Sequence, residues 1–324
     1  MRMVLGLAAV LGLVPGHLGS GDSVQARNTE SVITSVVPDP PEGVRIDVVG
    51  SDTYVRVRAM GHSVEIPGYS DEPYVRIDAD GAVWVNDGST TAVLNGDRYG
   101  NVDLSGFTPS ATPEWRRIGE DGTAMWHDHR SHWMSPKPPA PIDGKGTVQT
   151  FSIPMVIDGT ETIVSGTLYL RDMAGIWWWM FGLAGLAVMV VVSIAREKWM
   201  ASFVALFAVG GTAVGWAEFV GLPSGARITP VLLSFAAGAA VLSVVAAAAT
   251  HRGSRHVSLS LLAGAGVALV TGVWLVNEQV RAAYVPGLSA PWMARAMLPM
   301  LLGAGIVATV HGVTKIFRDG PESA

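Results

Sequence analysis

The residues best able to do chemistry lie in one stretch, Met125-Trp126-His127-Asp128-His129-Arg130-Ser131-His132-Trp133-Met134. It holds three of the chain's eight histidines, two of its eleven tryptophans and two of its thirteen methionines. Imidazole is the commonest protein ligand for zinc and copper, and a chain without cysteine that binds either must rely on it. If residues 125–130 run as a strand, His127 and His129 share one face, while Asp128 and Arg130 share the other and could pair there. His132 has the opposite parity and joins the first two only if the chain turns near Ser131. His127, His129 and His132 are therefore the leading candidate ligands, with copper ahead of zinc. His62 could add a ligand from a distant strand, and Met125 and Met134 are soft donors that suit Cu(I). A blander reading fits the same residues. His-x-His is a short motif, the Trp and Met side chains could be ordinary core, and Arg130 nearby would oppose a bound cation.

The elements that must position this stretch follow from composition. Residues up to about 172 are polar, rich in Asp, Gly, Pro and Thr, whereas long apolar runs dominate from Met173 onward. Two domains are expected: an all-β antiparallel sandwich over 17–171 and an all-α membrane domain over 172–318, followed by a short tail, 319–324. β-Branched alternation predicts strands at Ser31–Val37, Val44–Val49, Thr53–Arg58, Ser63–Ile66, Tyr74–Asp78, Ala82–Asn86, Trp115–Ile118, Thr147–Ile153 and Thr162–Leu170. Asp80-Gly81, Asp87-Gly88 and Asp158-Gly159 are turn dipeptides, because glycine takes positive φ at little cost. The formal net charge of −5 leaves no broad basic surface for nucleic acid.

Met1–Gly16 has the form of a signal peptide, with Arg2 before an apolar run over Val4–Leu13. Cleavage after Gly16 would make His17 the new N-terminus, where its α-amino group and ring could chelate copper together. Five membrane helices are expected at about 173–195, 200–222, 228–250, 257–276 and 296–316, each near the roughly 20 apolar residues that a bilayer requires. Arg196-Glu197-Lys198, the 251–256 loop and Lys315…Arg318 fall at alternate span ends, so the positive-inside rule makes these loops and the C-terminus cytoplasmic. The β domain would then be extracytoplasmic on a multi-pass cell-membrane protein. Met293, Met297 and Met300 share a helical face that could carry soft ions or act as apolar filler. Glu218 and His311 are the polar groups inside spans, and such groups are functional candidates. No phosphate-binding loop, nucleophile elbow or H-E-x-x-H motif is present, and a non-enzymatic protein is expected.

Gly68-Tyr69…Glu72-Pro73-Tyr74-Val75-Arg76, Asp80-Gly81…Val83-Trp84-Val85-Asn86, Asn95…Arg98-Tyr99-Gly100, Trp115 and the Trp126–Met134 stretch together resemble a group of actinobacterial exported and membrane proteins. The resemblance covers roughly residues 30–170. It implies an exported β-rich domain with a hydrophobic C-terminal part, and a mature chain that begins His-Gly; here Leu18 follows His17. The plan is also similar, as architecture only, to copper-resistance proteins that join a sandwich to a polytopic membrane domain. The expected function is transition-metal binding in envelope metal handling. The alternative is an assembly factor, in which the outer domain recognises another envelope protein and the helices anchor it in the bilayer.

Overall fold

The computed structural model describes residues 23–110 and 112–319. The expected signal peptide, His17 as an N-terminal ligand, and tail residues 320–324 lie outside the described residues. The chain divides into two compact units, one reaching to Asp172 and including Pro223–Ile228, the other comprising Met173–Leu222 and the residues from Thr229 onward.

Among the described residues the first unit contains ten strands in two antiparallel sheets. β1 (Thr29–Val37), β10 (Thr160–Leu170), β9 (Thr147–Ile157), β4 (Val64–Pro67), β5 (Pro73–Ile77), β6 (Val83–Asn86) and β7 (Trp115–Gly119) lie side by side in that order, and β2 (Arg45–Val49), β3 (Tyr54–Arg58) and β8 (Thr123–Trp126) form the second sheet. Alternation along the strands drives this arrangement, since one face of each sheet must leave water. Val55, Val57, Ala124 and Trp126 from the small sheet share one buried cluster with Ile66, Tyr74, Val83, Phe151 and Ile153 from the large one. Asp158 and Gly159 close the β9–β10 hairpin with positive φ, and Asp80-Gly81 turns β5 into β6, as their types predict. A short helix, α1 (Thr90–Leu94), follows Asp87-Gly88 and is capped by Ser89, whose Oγ accepts from Thr91 N and Ala92 N.

The second unit contains the five expected spans: Ile176–Ala195, Glu197–Gly221, Val231–His251, Arg255–Leu275 and Trp292–Arg318, each long and apolar enough to cross a membrane. Their α-helical parts are α2 (Met180–Ala195), α3 (Met200–Gly221), α4 (Val231–His251), α5 (Arg255–Leu275) and α6 (Trp292–Asp319). Leu, Val, Ala and Trp point outward around most of the bundle, as lipid-facing helices permit. In lipid the helices gain little by hiding apolar surface from one another, so close approach of backbones must hold them. Gly266 on α5 provides one such approach: a Cβ there would lie 2.5 Å from Thr309 Oγ1 and 2.6 Å from the Gly305 carbonyl of α6. Gly238 on α4 faces open space.

These two glycines predict opposite outcomes. Gly266→Val should destabilise the bundle by about 1–3 kcal/mol through forced separation of α5 and α6. Gly238→Val should be nearly neutral. Thermal unfolding of the full chain in micelles checks both, and equal melting shifts would contradict this packing.

Candidate metal centre

The candidate centre begins where β8 ends. The strand stops at Trp126, and residues 127–134 leave the sheet as a turn. Asp128 makes the bend. Its carbonyl accepts from Ser131 N at 3.0 Å and from Ser131 Oγ at 2.9 Å. Its carboxylate is fully buried and accepts from Trp126 Nε1 at 2.9 Å, from Arg130 N at 3.0 Å, and from Arg130 Nε and Nη2 at 2.9 and 2.7 Å. Burial pushes this carboxyl up, but the Arg130 and Trp126 bonds outweigh burial and hold it below the usual carboxylate range. Asp128 and Arg130 do pair, through a turn rather than across a strand face, and the Arg130 charge is thereby matched. Ser31 Oγ of β1 donates to the Ser131 carbonyl, and Gln149 Nε2 of β9 donates to the Arg130 and His132 carbonyls at 3.3 and 3.1 Å.

This turn brings the three histidines together. Ring centroids are 4.1 Å apart for His127–His132, 5.5 Å for His127–His129 and 5.4 Å for His129–His132. One ligand-capable atom from each ring lies within 4.8 Å of the others, so the group could hold a metal ion. Ligands at ~2.0–2.1 Å around a tetrahedral ion stand about 3.3 Å apart, so modest ring motion closes the site.

The opposite edge of each ring meets a backbone carbonyl. His127 Nδ1 is 2.8 Å from the Thr53 carbonyl, His129 Nε2 is 2.8 Å from the Asp97 carbonyl, and His132 Nδ1 is 3.0 Å from the Trp133 carbonyl. A carbonyl only accepts, so each of these nitrogens carries the proton and donates. The lone pairs then sit on His127 Nε2, His129 Nδ1 and His132 Nε2. His132 Nε2 is buried without a hydrogen-bond partner. Burial, with His127 and Arg98 nearby, pushes His132 far below the usual imidazole range. Burial also lowers His129, against the Asp97 carbonyl bond that favours its proton. Both rings are therefore neutral near pH 7, with lone pairs available.

The residues of the dispersed Gly68–Gly100 motifs support this cluster. Tyr69 stacks on the His129 ring at 5.8 Å between centroids, its hydroxyl accepts from His129 N at 2.8 Å and donates to Asn95 Oδ1, and Asn95 Nδ2 reaches the Tyr74 hydroxyl at 3.0 Å. Arg98 Nη2 meets the buried Asp52 carboxylate at 2.7 Å, next to the Thr53 carbonyl that holds His127. Asp97 Oδ1 accepts from Tyr99 N and Asn101 N, which folds the loop presenting the Asp97 carbonyl. Gly100, with φ of 69°, closes that loop beside the His129 ring. Glu72 anchors the Tyr69 turn by accepting from Ser89 Oγ at 2.7 Å and from Thr91 N at 3.1 Å.

The other sequence candidates are distributed differently. His62 does not join the group: Nδ1 is 2.7 Å from Asp158 Oδ2 and Nε2 is 3.0 Å from the Glu42 carbonyl, so neither nitrogen offers a lone pair to a metal. Its expected role as a ligand is corrected on that ground. Met134 does lie beside His129, since a Cβ built on Gly100 would be 3.5 Å from Met134 Cε and 3.4 Å from His129 Cε1. Met125 lies on β8 beside Gly225. In the helical unit, Met293 and Met297 pack against the bundle core, with Met297 Cε only 2.7 Å from a Cβ built on Gly210, and Met300 presents its carbonyl to Gly185. Glu218 is buried with a side-chain hydrogen bond to Gln279, and His311 faces Glu197. Sequence reasoning missed Thr53, Asp97 and Tyr69; the first two act through carbonyls that no residue type reveals. The chain matches no protein-family model, no curated protein and no solved structure.

Two predictions follow from the shell. Asp128→Ala leaves Arg130 and the Trp126 indole without their acceptor in a buried place, and should destabilise by roughly 3–5 kcal/mol, read by chemical denaturation of the full chain. Burial pushes Glu72 up, yet its Ser89 and Thr91 hydrogen bonds hold it at about 2 against an ordinary 4.5. A depressed carboxyl stabilises the fold above its unfolded pKa, and that stability is lost as pH falls from about 4.5 through about 2. Glu72→Gln should therefore flatten the acid limb of stability over this window by about 1–3 kcal/mol, after allowance for solvent screening. Parallel wild-type and variant limbs would refute the assignment.

Proposed function

We propose that this chain is a membrane-anchored copper protein of the cell envelope, whose β unit holds Cu(I) between His127, His129 and His132. One observation carries the reading: three imidazoles converge, each with one ring N–H tied to a backbone carbonyl. Fixing the far nitrogen in this way selects the tautomer and orients the ring for a metal.

Charge supports copper over zinc. Among the described residues no carboxylate joins the three rings. Asp128 is already matched by Arg130, and Asp52 by Arg98 and Arg27. An ion bound here therefore brings its whole charge into a buried site. The desolvation penalty grows with the square of that charge, so a monovalent ion is far less costly than a divalent one. Imidazole suits copper. The apparent signal peptide and the positively charged loops at alternate span ends support an extracytoplasmic β unit.

Competition titration of the purified full chain tests this. Wild type should take one equivalent of Cu(I), while His127→Ala/His129→Ala should bind at least roughly 100-fold more weakly. Equal copper uptake by both would overturn the site. Tighter binding of Zn(II) than of Cu(I) would overturn the choice of metal. A double variant that keeps its copper and still captures an envelope protein would favour the assembly reading.

A further inference from the structure

A second site lies in the helical unit, at the end where α3 and α5 begin and α4 and α6 end. A cavity of about 350 Å³ opens there. That volume falls within the usual range of small-molecule sites. It is lined by polar groups, Lys198, Arg255, Ser258 and His311, and by apolar ones, Met200, Ala201, Leu259 and Leu262. Glu197 lines it too, but its carboxylate is already engaged by Arg255 Nη2 at 3.2 Å and Lys315 Nζ at 3.1 Å. It tethers Arg255 and Lys315, and the lining itself carries two cations, Lys198 and Arg255, against this one carboxylate.

His311 supplies the independent observation. Its side chain is only 10% exposed, and its Nε2 stands 3.6 Å from Glu197 Oε1. That is beyond hydrogen-bond reach, and Nε2 has no hydrogen-bond partner. Glu197 stands too far away to satisfy this nitrogen, which therefore calls for a polar ligand group, and Lys198 and Arg255 on the same lining favour an oxygen-rich anion there.

We propose that this cavity binds a phosphate ester, supplied by an anionic phospholipid of the adjoining leaflet. The phosphate sits among Lys198, Arg255 and His311, and the glycerol portion lies along Leu259 and Leu262. The apolar wall favours a lipid over free phosphate, which has no apolar part to bury. Basic pockets between membrane helices are suited to such headgroups. This site is independent of the copper reading.

Native mass spectrometry of the full chain in micelles tests it, using dioctanoyl phosphatidylglycerol, dioctanoyl phosphatidylcholine and inorganic phosphate as probes. One phosphatidylglycerol should be retained, about tenfold more tightly than phosphatidylcholine. His311→Phe and Lys198→Glu should each weaken it about tenfold or more. Lys198 is exposed, so its variant keeps the fold and decides the matter if His311→Phe does not fold. Retention of phosphatidylcholine equal to that of phosphatidylglycerol, or unchanged binding by Lys198→Glu, would overturn the proposal. Binding of inorganic phosphate as tight as that of phosphatidylglycerol would overturn the lipid source and leave a free-phosphate site.

Discussion

A carboxylate with no solvent exposure must be surrounded by donors, and the way Asp128 meets that demand shapes the candidate centre. The Trp126 indole comes from the last residue of β8, while the Arg130 guanidinium and amide come from four residues further on. All of them can reach one carboxylate only if the chain folds back on itself. That fold moves His132 from the far side of the stretch to within 4.1 Å of His127, centroid to centroid. Arg130, held by Asp128, also lies 5.1 Å over the Tyr69 ring, so the same contact fixes the aromatic shelf under His129.

Much of the architecture was legible because it follows from periodicity. The expected strands match nine of the ten observed to within a few residues at most ends, and the five apolar runs became the five spans. β8 and α1 were less visible: β8 (Thr-Ala-Met-Trp) has one β-branched residue in four, and α1 is five residues long. The Ser89 cap was a readable start signal for α1. In the centre, residue types were informative and parity was not. Two-residue alternation assumes a strand, and the acceptor demand of Asp128 ends the strand at Trp126. The ring-orienting carbonyls of Thr53 and Asp97 have no sequence signature, since every residue carries one. His62 looked available because its partner Asp158 is 96 positions away.

In the helical unit the methionines illustrate how solvent decides meaning. A methionine face on a span reads equally as a soft-ion path or as packing, and the structure puts Met297 against Gly210 within the bundle. Helices in lipid associate through shape, so a flexible side chain that fills the space above a glycine stabilises directly. Charged groups are instead concentrated at the helix ends. Glu197, Arg255, His311 and Lys315 gather there from α5, α6 and the 3-10 turn before α3, where solvation costs least.

The remaining question is why a fold would keep a defect such as His132 Nε2, buried and without a hydrogen-bond partner. An unsatisfied buried nitrogen destabilises by about 1–3 kcal/mol. Filling the position with an apolar side chain would remove that loss. Retention makes physical sense if a ligand satisfies the nitrogen, because the ligand then binds only the folded state and stabilises it by mass action. The protons are already absent from His129 and His132 near neutrality, so an incoming ion does not have to displace them. The rings are already oriented by three carbonyls, so little ordering remains to oppose binding. A ligand that satisfied His132 Nε2 would thus offset the cost of burying it, a cost that the turn around Asp128 imposes.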